Sequence, residues 1–170
     1  GGASLPLREV VIVATMLDHP ALMVRHLDEF AHVALTSAPL AEFRAALVEI
    51  VTDDEDADAT RIRQRLGASR HAALIPRIDA QIAASGLWSA TAEAADDDAE
   101  RGWLQALTLH HRQRTLHKEL KDAEAALAND SSEVNFARLV DIQKQLANVE
   151  GMEALVEGFG SSSGRQARAL

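Results

Sequence analysis

Three histidines lie close together in the run "LHHRQRTLHK", residues 109–118. Imidazole nitrogens bind transition metals and move protons, so such a cluster raises the question of a metal or catalytic site. On a helix, His110 and His117 share one side but lie about 10 Å apart, and His111 points about 100° away. A pair so far apart cannot bind one ion without further ligands, and no acid at adjacent helical spacing supplies them. The spacing therefore predicts neither a metal site nor a nucleophilic centre.

The same residues form a basic stripe. Arg114, His117 and Lys121 each fall within about 40° of His110 when 100° is assigned to each helical residue. Two interpretations remain open for this stripe: a solvated flank of a long helix, or a contact surface for an acidic partner.

A second candidate for chemistry is the acidic run "TDDEDAD", residues 52–58. Carboxylates bind calcium, but an EF-hand loop requires a spaced glycine and a terminal glutamate, and both are missing here. The run is typical of a solvated loop whose carboxylates favour the N-terminus of a helix that begins near Asp58. We therefore expect no metal and no cofactor.

Composition narrows the function classes further. The chain of 170 residues carries a net charge of -9, the wrong sign for a domain that mainly binds phosphate backbones, so a protein partner is expected rather than a nucleic acid. The absence of cysteine excludes disulfides and thiolate metal sites and fits a reducing cytosol. The longest strongly apolar run, "VVIVATML" at 10–17, is far shorter than the roughly 20 residues of a membrane span, and no signal-peptide pattern is present.

The elements that hold these residues are predicted to be all-α, because apolar residues recur at helical spacing and no segment alternates as a strand does. Five helices are expected before residue 96: Pro6–Leu17, Pro20–Phe30, a third from a cap at Thr36 or Ser37 to Val51, a fourth that ends at Gly67 in a left-handed cap, and a fifth over Ser69–Ala84 with a kink or a restart at Pro76.

One long helix is predicted from Asp96 to Asn129, which corresponds to roughly 50 Å. Its apolar stripe changes sides. The first stripe consists of Trp103, Leu104 and Leu107, and the second, on nearly the opposite side, contains Leu109, Gln113, Leu116, Leu120, Ala123 and Leu127. A helix that packs against a single core keeps one stripe, so this helix is expected to serve two bodies.

The second body is predicted to be an antiparallel helical hairpin. After the turn "NDSSEVNF", the next helix presents a matching seam of Asn135, Leu139, Ile142, Leu146 and Val149. The expected organisation is an N-terminal bundle over 1–95 that 96–108 completes, a hairpin over 109–157, and a flexible tail over 158–170 in which Phe159 is the only possible anchor. Because Gln113 and Asn135 weaken the seam, the hairpin is expected to be mobile relative to the bundle.

Beside that seam runs an outward row of Phe136, Val140, Gln143 and Ala147. One interpretation is ordinary surface, with Phe136 folded back over the loop; the other is a partner-binding ridge, since a two-helix arm has no further core in which to bury the row. The candidate partner-binding residues are Phe136, Val140, Gln143, Ala147, Arg138, Lys144, His110, Arg114 and His117.

Four segments together resemble the C-terminal, helicase-binding domain of bacterial DNA primases: "LPLREVVIVATMLDHPAL", "AERGWLQALTLHHRQRTLHKELKDAEAAL", "NFARLVDIQKQL" and "EGFG". The resemblance implies a helical bundle and a helical hairpin joined by a long helix. It also implies a role in DNA replication, namely docking the primase onto the N-terminal domains of the hexameric replicative helicase, chiefly through the helices at 112–129 and 132–150. Another replication protein with an acidic tail, such as the single-stranded-DNA-binding protein, is a further candidate partner.

A primase as a whole is a DNA-dependent RNA polymerase, but no catalysis is expected of this chain. It has no cysteine-rich zinc ribbon and no acidic cluster on strands to hold catalytic metals. The expected location is the bacterial cytoplasm. Two alternatives remain: the N-terminal domain of a replicative helicase, and a helical phosphotransfer domain that uses an exposed histidine such as His110 or His117.

Overall fold

The structure, a computed structural model, describes the backbone of residues 4–169 and the side chains of residues 4–151. The predicted all-α class is confirmed, and no strand occurs in that part of the chain. The elements are α1 (Leu7–Asp18), α2 (Pro20–Arg25), α3 (Leu27–His32), α4 (Ala38–Asp53), α5 (Ala59–Gly67), α6 (Leu74–Ser85), a 3-10 turn (Trp88–Ala90), α7 (Asp96–Asn129) and α8 (Glu133–Ala169).

The chain divides into two compact units, which we call unit 1 (Gly1–Ala106) and unit 2 (Leu107–Leu170). The division falls inside α7, two residues before the boundary predicted from the change of apolar stripe. The sequence predicts a hairpin that ends at residue 157 with a flexible tail after it, whereas α8 continues to Ala169. The side chains of 152–170, Phe159 among them, lie outside the described residues, and the flexibility of the predicted tail stays a prediction.

Helix α1 is the centre of unit 1. Every residue from Arg8 to Leu17 is buried, and α2, α4, α5, α6 and the 3-10 turn all contact this helix. A helix that is apolar on all sides is stable only when it is surrounded, which explains why the run "VVIVATML" lies here.

The buried carboxylate of Glu9 in α1 organises the start of α4. It accepts hydrogen bonds from the backbone N–H groups of Thr36 (2.8 Å) and Ser37 (3.1 Å) and from the Thr36 hydroxyl. The Ser37 hydroxyl in turn accepts from the N–H of Leu40, so Ser37 is the N-cap, one of the two predicted. Because a buried carboxylate without partners is costly, these donors make the burial of Glu9 tolerable.

An ion-pair network connects α1, α5 and α6. The guanidinium of Arg63 donates to Asp18 at 2.8 and 3.0 Å and to Asp79 at 2.9 and 3.0 Å. Burial raises the pKa of the Asp18 carboxyl, and Arg63 opposes that rise. The hydrogen bond to Asp79 is the largest contribution that raises the pKa of Arg63, so the cation is permanent and holds both acids.

The second predicted helix is wrong. The expected helix over 20–30 is two helices, α2 and α3, because His26 leaves helical geometry (φ -113°, ψ 27°). Its imidazole lies against the ring of Trp103 and within 3.2 Å of the Glu100 carboxylate. Because the helix breaks where His26 meets residues that are distant in the chain, the local sequence does not predict the break.

The fourth predicted helix ends at Gly67, as α5 does, but the left-handed conformation expected for this glycine is wrong. The positive-φ glycine of the described residues is Gly86 (φ 71°), which ends α6. Residues 69–73 form turns, and α6 begins at Leu74, so Pro76 lies in the first helical turn, where the missing N–H costs nothing. The acidic run precedes α5 as predicted, and Asp58 caps that helix by accepting from the N–H of Arg61 at 2.8 Å.

The first part of α7 is fixed within unit 1. The indole N–H of the fully buried Trp103 donates to the carbonyl of Ile12 at 3.1 Å. His26 and Arg25 both bond to Glu100 and lower the pKa of its carboxyl. These contacts position the start of the helix that continues into unit 2.

Candidate docking surface

Helix α7 begins at Asp96 and ends at Asn129, as the sequence predicts. Its first turn contains three acids, Asp96, Asp97 and Asp98. Their negative charges stabilise the helix by interacting with the positive N-terminal end of its dipole. Its 34 residues pass from unit 1 into unit 2, where the second half of α7 meets α8.

An apolar cluster joins α7 and α8 in unit 2. Its members are Leu116 and Ala123 of α7 with Ile142, Leu146 and Val149 of α8, and the partly buried Leu109, Leu120 and Leu139 surround them. All of these residues belong to the two predicted seams. Only residues 130–132 lie between the helices, and the two seams pack against each other. Among the apolar seam residues, the partly buried Leu127 is not a member of this cluster.

Asn135 forms hydrogen bonds that connect α7 and α8, whereas the sequence predicts that this polar residue weakens the seam. Its side-chain amide donates to the carbonyls of Asp130 (2.8 Å) and Ala126 (3.3 Å). Its own N–H donates to the hydroxyl of Ser132, which is the N-cap of α8. The amide of Asn135 thereby ties the start of α8 to the last turn of α7, where the Ala126 carbonyl also accepts from the N–H of Asp130 at 2.9 Å.

The outward row lies where the sequence places it, beside the seam. Phe136 is 58% exposed, so it does not fold back over the loop to any great extent. Val140 is partly buried, and Gln143 and Ala147 are exposed. Together they form one side of α8 within about 60°. We call Phe136, Val140, Gln143 and Ala147 the outer row.

The basic candidates separate into two groups. Arg114, His117, Arg138 and Lys144 are exposed, as a contact surface requires. His110 is 4% exposed, so its assignment to a solvated flank or an accessible contact surface is wrong. Ala99, Trp103, Leu107 and His110 are all buried and recur at spacings of four, four and three, so His110 continues the buried side of α7.

Leu104 was predicted in the first buried stripe but is 39% exposed. It lies about 100° around the helix from Trp103, outside the row that His110 completes. Sequence reasoning also missed Val134, which is 78% exposed in the first turn of α8. A signal for Val134 was available, because it lies outside the seam at the start of a helix whose other side is already packed.

A cleft of about 370 Å³ lies in unit 1 beside the Arg63 ion pairs. Asp18, Arg63 and Asp79 contribute to its walls, but their charged groups already bond to one another. Among the described residues, no group of three or more histidine or acidic side chains is arranged to hold a metal ion.

Within the same part of the chain, none of the helices combines the length and apolar character that crossing a bilayer requires. No protein-family model matches this chain, and comparisons with curated proteins and with solved structures find no match. The resemblance to the primase domain therefore stays a hypothesis based on the sequence.

Proposed function

We propose that this chain is a docking module that attaches a bacterial DNA primase to the N-terminal domains of the hexameric replicative helicase. The contact surface is the outer row of α8, and the exposed cations Arg114, Arg138 and Lys144 steer an acidic partner towards the helix pair. In this role the chain works in the cytoplasm and synthesises nothing itself, and the parent protein makes RNA primers.

The observation that carries the proposal is the exposure of Phe136 beside a completed seam. Phe136 is not part of the α7–α8 cluster, and more than half of its surface is open to solvent. An exposed aromatic residue continued by Val140 at helical spacing is what a helix offers to a partner's groove. The segment resemblance supplies the identity of the partner.

The test is titration of the parent chain and its variants against the helicase N-terminal domain, with circular dichroism as the folding control. Val140→Glu or Ala147→Glu places a carboxylate in a contact that is apolar and desolvated when bound. Each should cost at least about 2 kcal/mol of binding, roughly thirtyfold in affinity, with little change in folding.

Two controls sharpen that test. Asn148→Glu introduces the same charge on an exposed residue about 100° around α8 from Ala147 and should bind like the parent. Leu146→Glu places a charge in the buried seam and should lower helicity before it affects any partner. If both outer-row variants stay folded and bind like the parent, the outer row is not the docking surface.

A further inference from the structure

The end of unit 2 formed by residues 122–137, which we call the tip, differs in charge from the rest of the helix pair. It contains four exposed carboxylates and no lysine, arginine or histidine. The acids are Asp122, Glu124, Asp130 and Glu133. The flanking segments 107–121 and 138–149, which we call the shaft, have the opposite balance, with six lysines and arginines and two acids.

Two large apolar side chains project from this acidic tip. Val134 is 78% exposed and Phe136 is 58% exposed. Residues two apart on a helix point about 200° away from each other, so these side chains lie on opposite flanks of α8. A partner that lies along one flank covers one of them, whereas a partner that receives the tip end-on covers both.

We propose that the tip inserts end-on into a recess of the partner that has apolar walls and a basic rim. This inference rests on the proposed function, so the recess that receives the tip belongs to the helicase N-terminal domains. Carboxylates on the same tip as an apolar pair disfavour a neutral or acidic rim, because burying them without cations is costly. The cationic shaft then faces an acidic part of the partner, which fixes the direction in which the helix pair docks.

Charge reversal tests the basic rim. We compare Glu124→Lys/Asp130→Lys at the tip with Glu119→Lys/Glu150→Lys, which changes the net charge equally at exposed positions elsewhere in unit 2. In titrations against the helicase N-terminal domain, the tip variant should bind at least about tenfold more weakly and with a flatter salt dependence. The control should stay within about threefold of the parent. Equal losses in the two variants would mean that only total charge matters and would overturn the proposal.

Removal of apolar surface tests end-on insertion. Val134→Ser and Phe136→Ser should each weaken binding at least about tenfold, because both side chains are buried in the recess. Both positions are exposed in the free chain, so helicity and melting should not change, which circular dichroism verifies. Parent-like binding by Val134→Ser would overturn end-on insertion and leave docking along the Phe136 flank.

The two proposals fail in distinguishable ways. If the parent chain does not bind the helicase domain, the proposed function is wrong and the inference about the tip falls with it. If the parent binds and Val140→Glu and Ala147→Glu lose affinity, while Val134→Ser and the tip charge variant bind normally, the proposed function stands and only the tip assignment is wrong.

Discussion

His110 and His117 lie two turns apart on α7 in opposite environments: His110 is buried and His117 is exposed. The helical row of Ala99, Trp103 and Leu107 continues to His110, so the imidazole fills a position that an apolar residue would otherwise take. A buried ring contributes both apolar contact and polar groups that must be satisfied, and its removal is therefore costly.

We expect His110→Ala to lower the free energy of unfolding by about 1–3 kcal/mol, from lost packing and an unmade polar interaction. His117→Ala removes the same group from an exposed position and should change stability by no more than about 0.5 kcal/mol. Urea denaturation of the two variants beside the parent measures both values. Equal, small effects would show that His110 is not part of the packed interior.

At the scale of elements, the contact between α7 and the 3-10 turn depends on Gly102. A Cβ atom added to Gly102 would lie 2.6 Å from the Ser89 hydroxyl oxygen and 3.1 Å from its Cβ. Glycine inside a helix costs about 1 kcal/mol relative to alanine, so its presence in this long helix needs a compensating contact. The close approach of Ser89 is that contact.

A double-mutant cycle tests this explanation. Gly102→Ala in the parent should gain nothing or destabilise, because overpacking costs about 1–3 kcal/mol and cancels the helical gain. In a Ser89→Gly background the same substitution should stabilise by about 1 kcal/mol. Gly67→Ala, with nothing within 4 Å of the added atom, is the control and should be neutral or stabilising. Additive effects of Gly102→Ala and Ser89→Gly would contradict the steric account.

At the scale of the whole molecule, the chain consists of two units that share one helix. Unit 1 has its own buried centre in α1, and the first turns of α7 complete it through Trp103. Unit 2 has a smaller apolar cluster of its own. A unit with its own core can fold alone only if it keeps every element that closes that core.

A fragment of residues 1–108 should therefore stay helical and melt cooperatively. A fragment of residues 1–95 should not fold cooperatively, because it loses the fully buried Trp103 and Ala99. It also loses the carboxylates to which His26 and His19 bond. Circular dichroism melts of both fragments beside the full chain decide the matter. An unfolded 1–108 fragment would mean that unit 1 depends on unit 2 for stability.

Local patterns in the sequence were sufficient for several features. The bounds of α7, the caps at Ser37 and Asp58, and both seams of the α7–α8 cluster follow from 3.6-residue periodicity and from residues with strong terminal preferences. These signals act within a few turns of the same helix, so they do not require knowledge of the rest of the chain. The outer row could be predicted for the same reason, because what is left beside a completed seam must face outward.

Other features were decided only by the tertiary structure. His26 interrupts a helix where it meets Trp103 and Glu100, residues more than 70 positions away. His110 is buried because it is the last member of the row that begins at Ala99, and histidine is a polar residue type that does not by itself indicate burial. Each of these outcomes depends on groups that are distant in sequence, and periodicity within one helix contains no information about what covers its surface. The sequence alone therefore determined the helices and their seams, and long-range packing decided where they break and which side chains stay accessible to a partner.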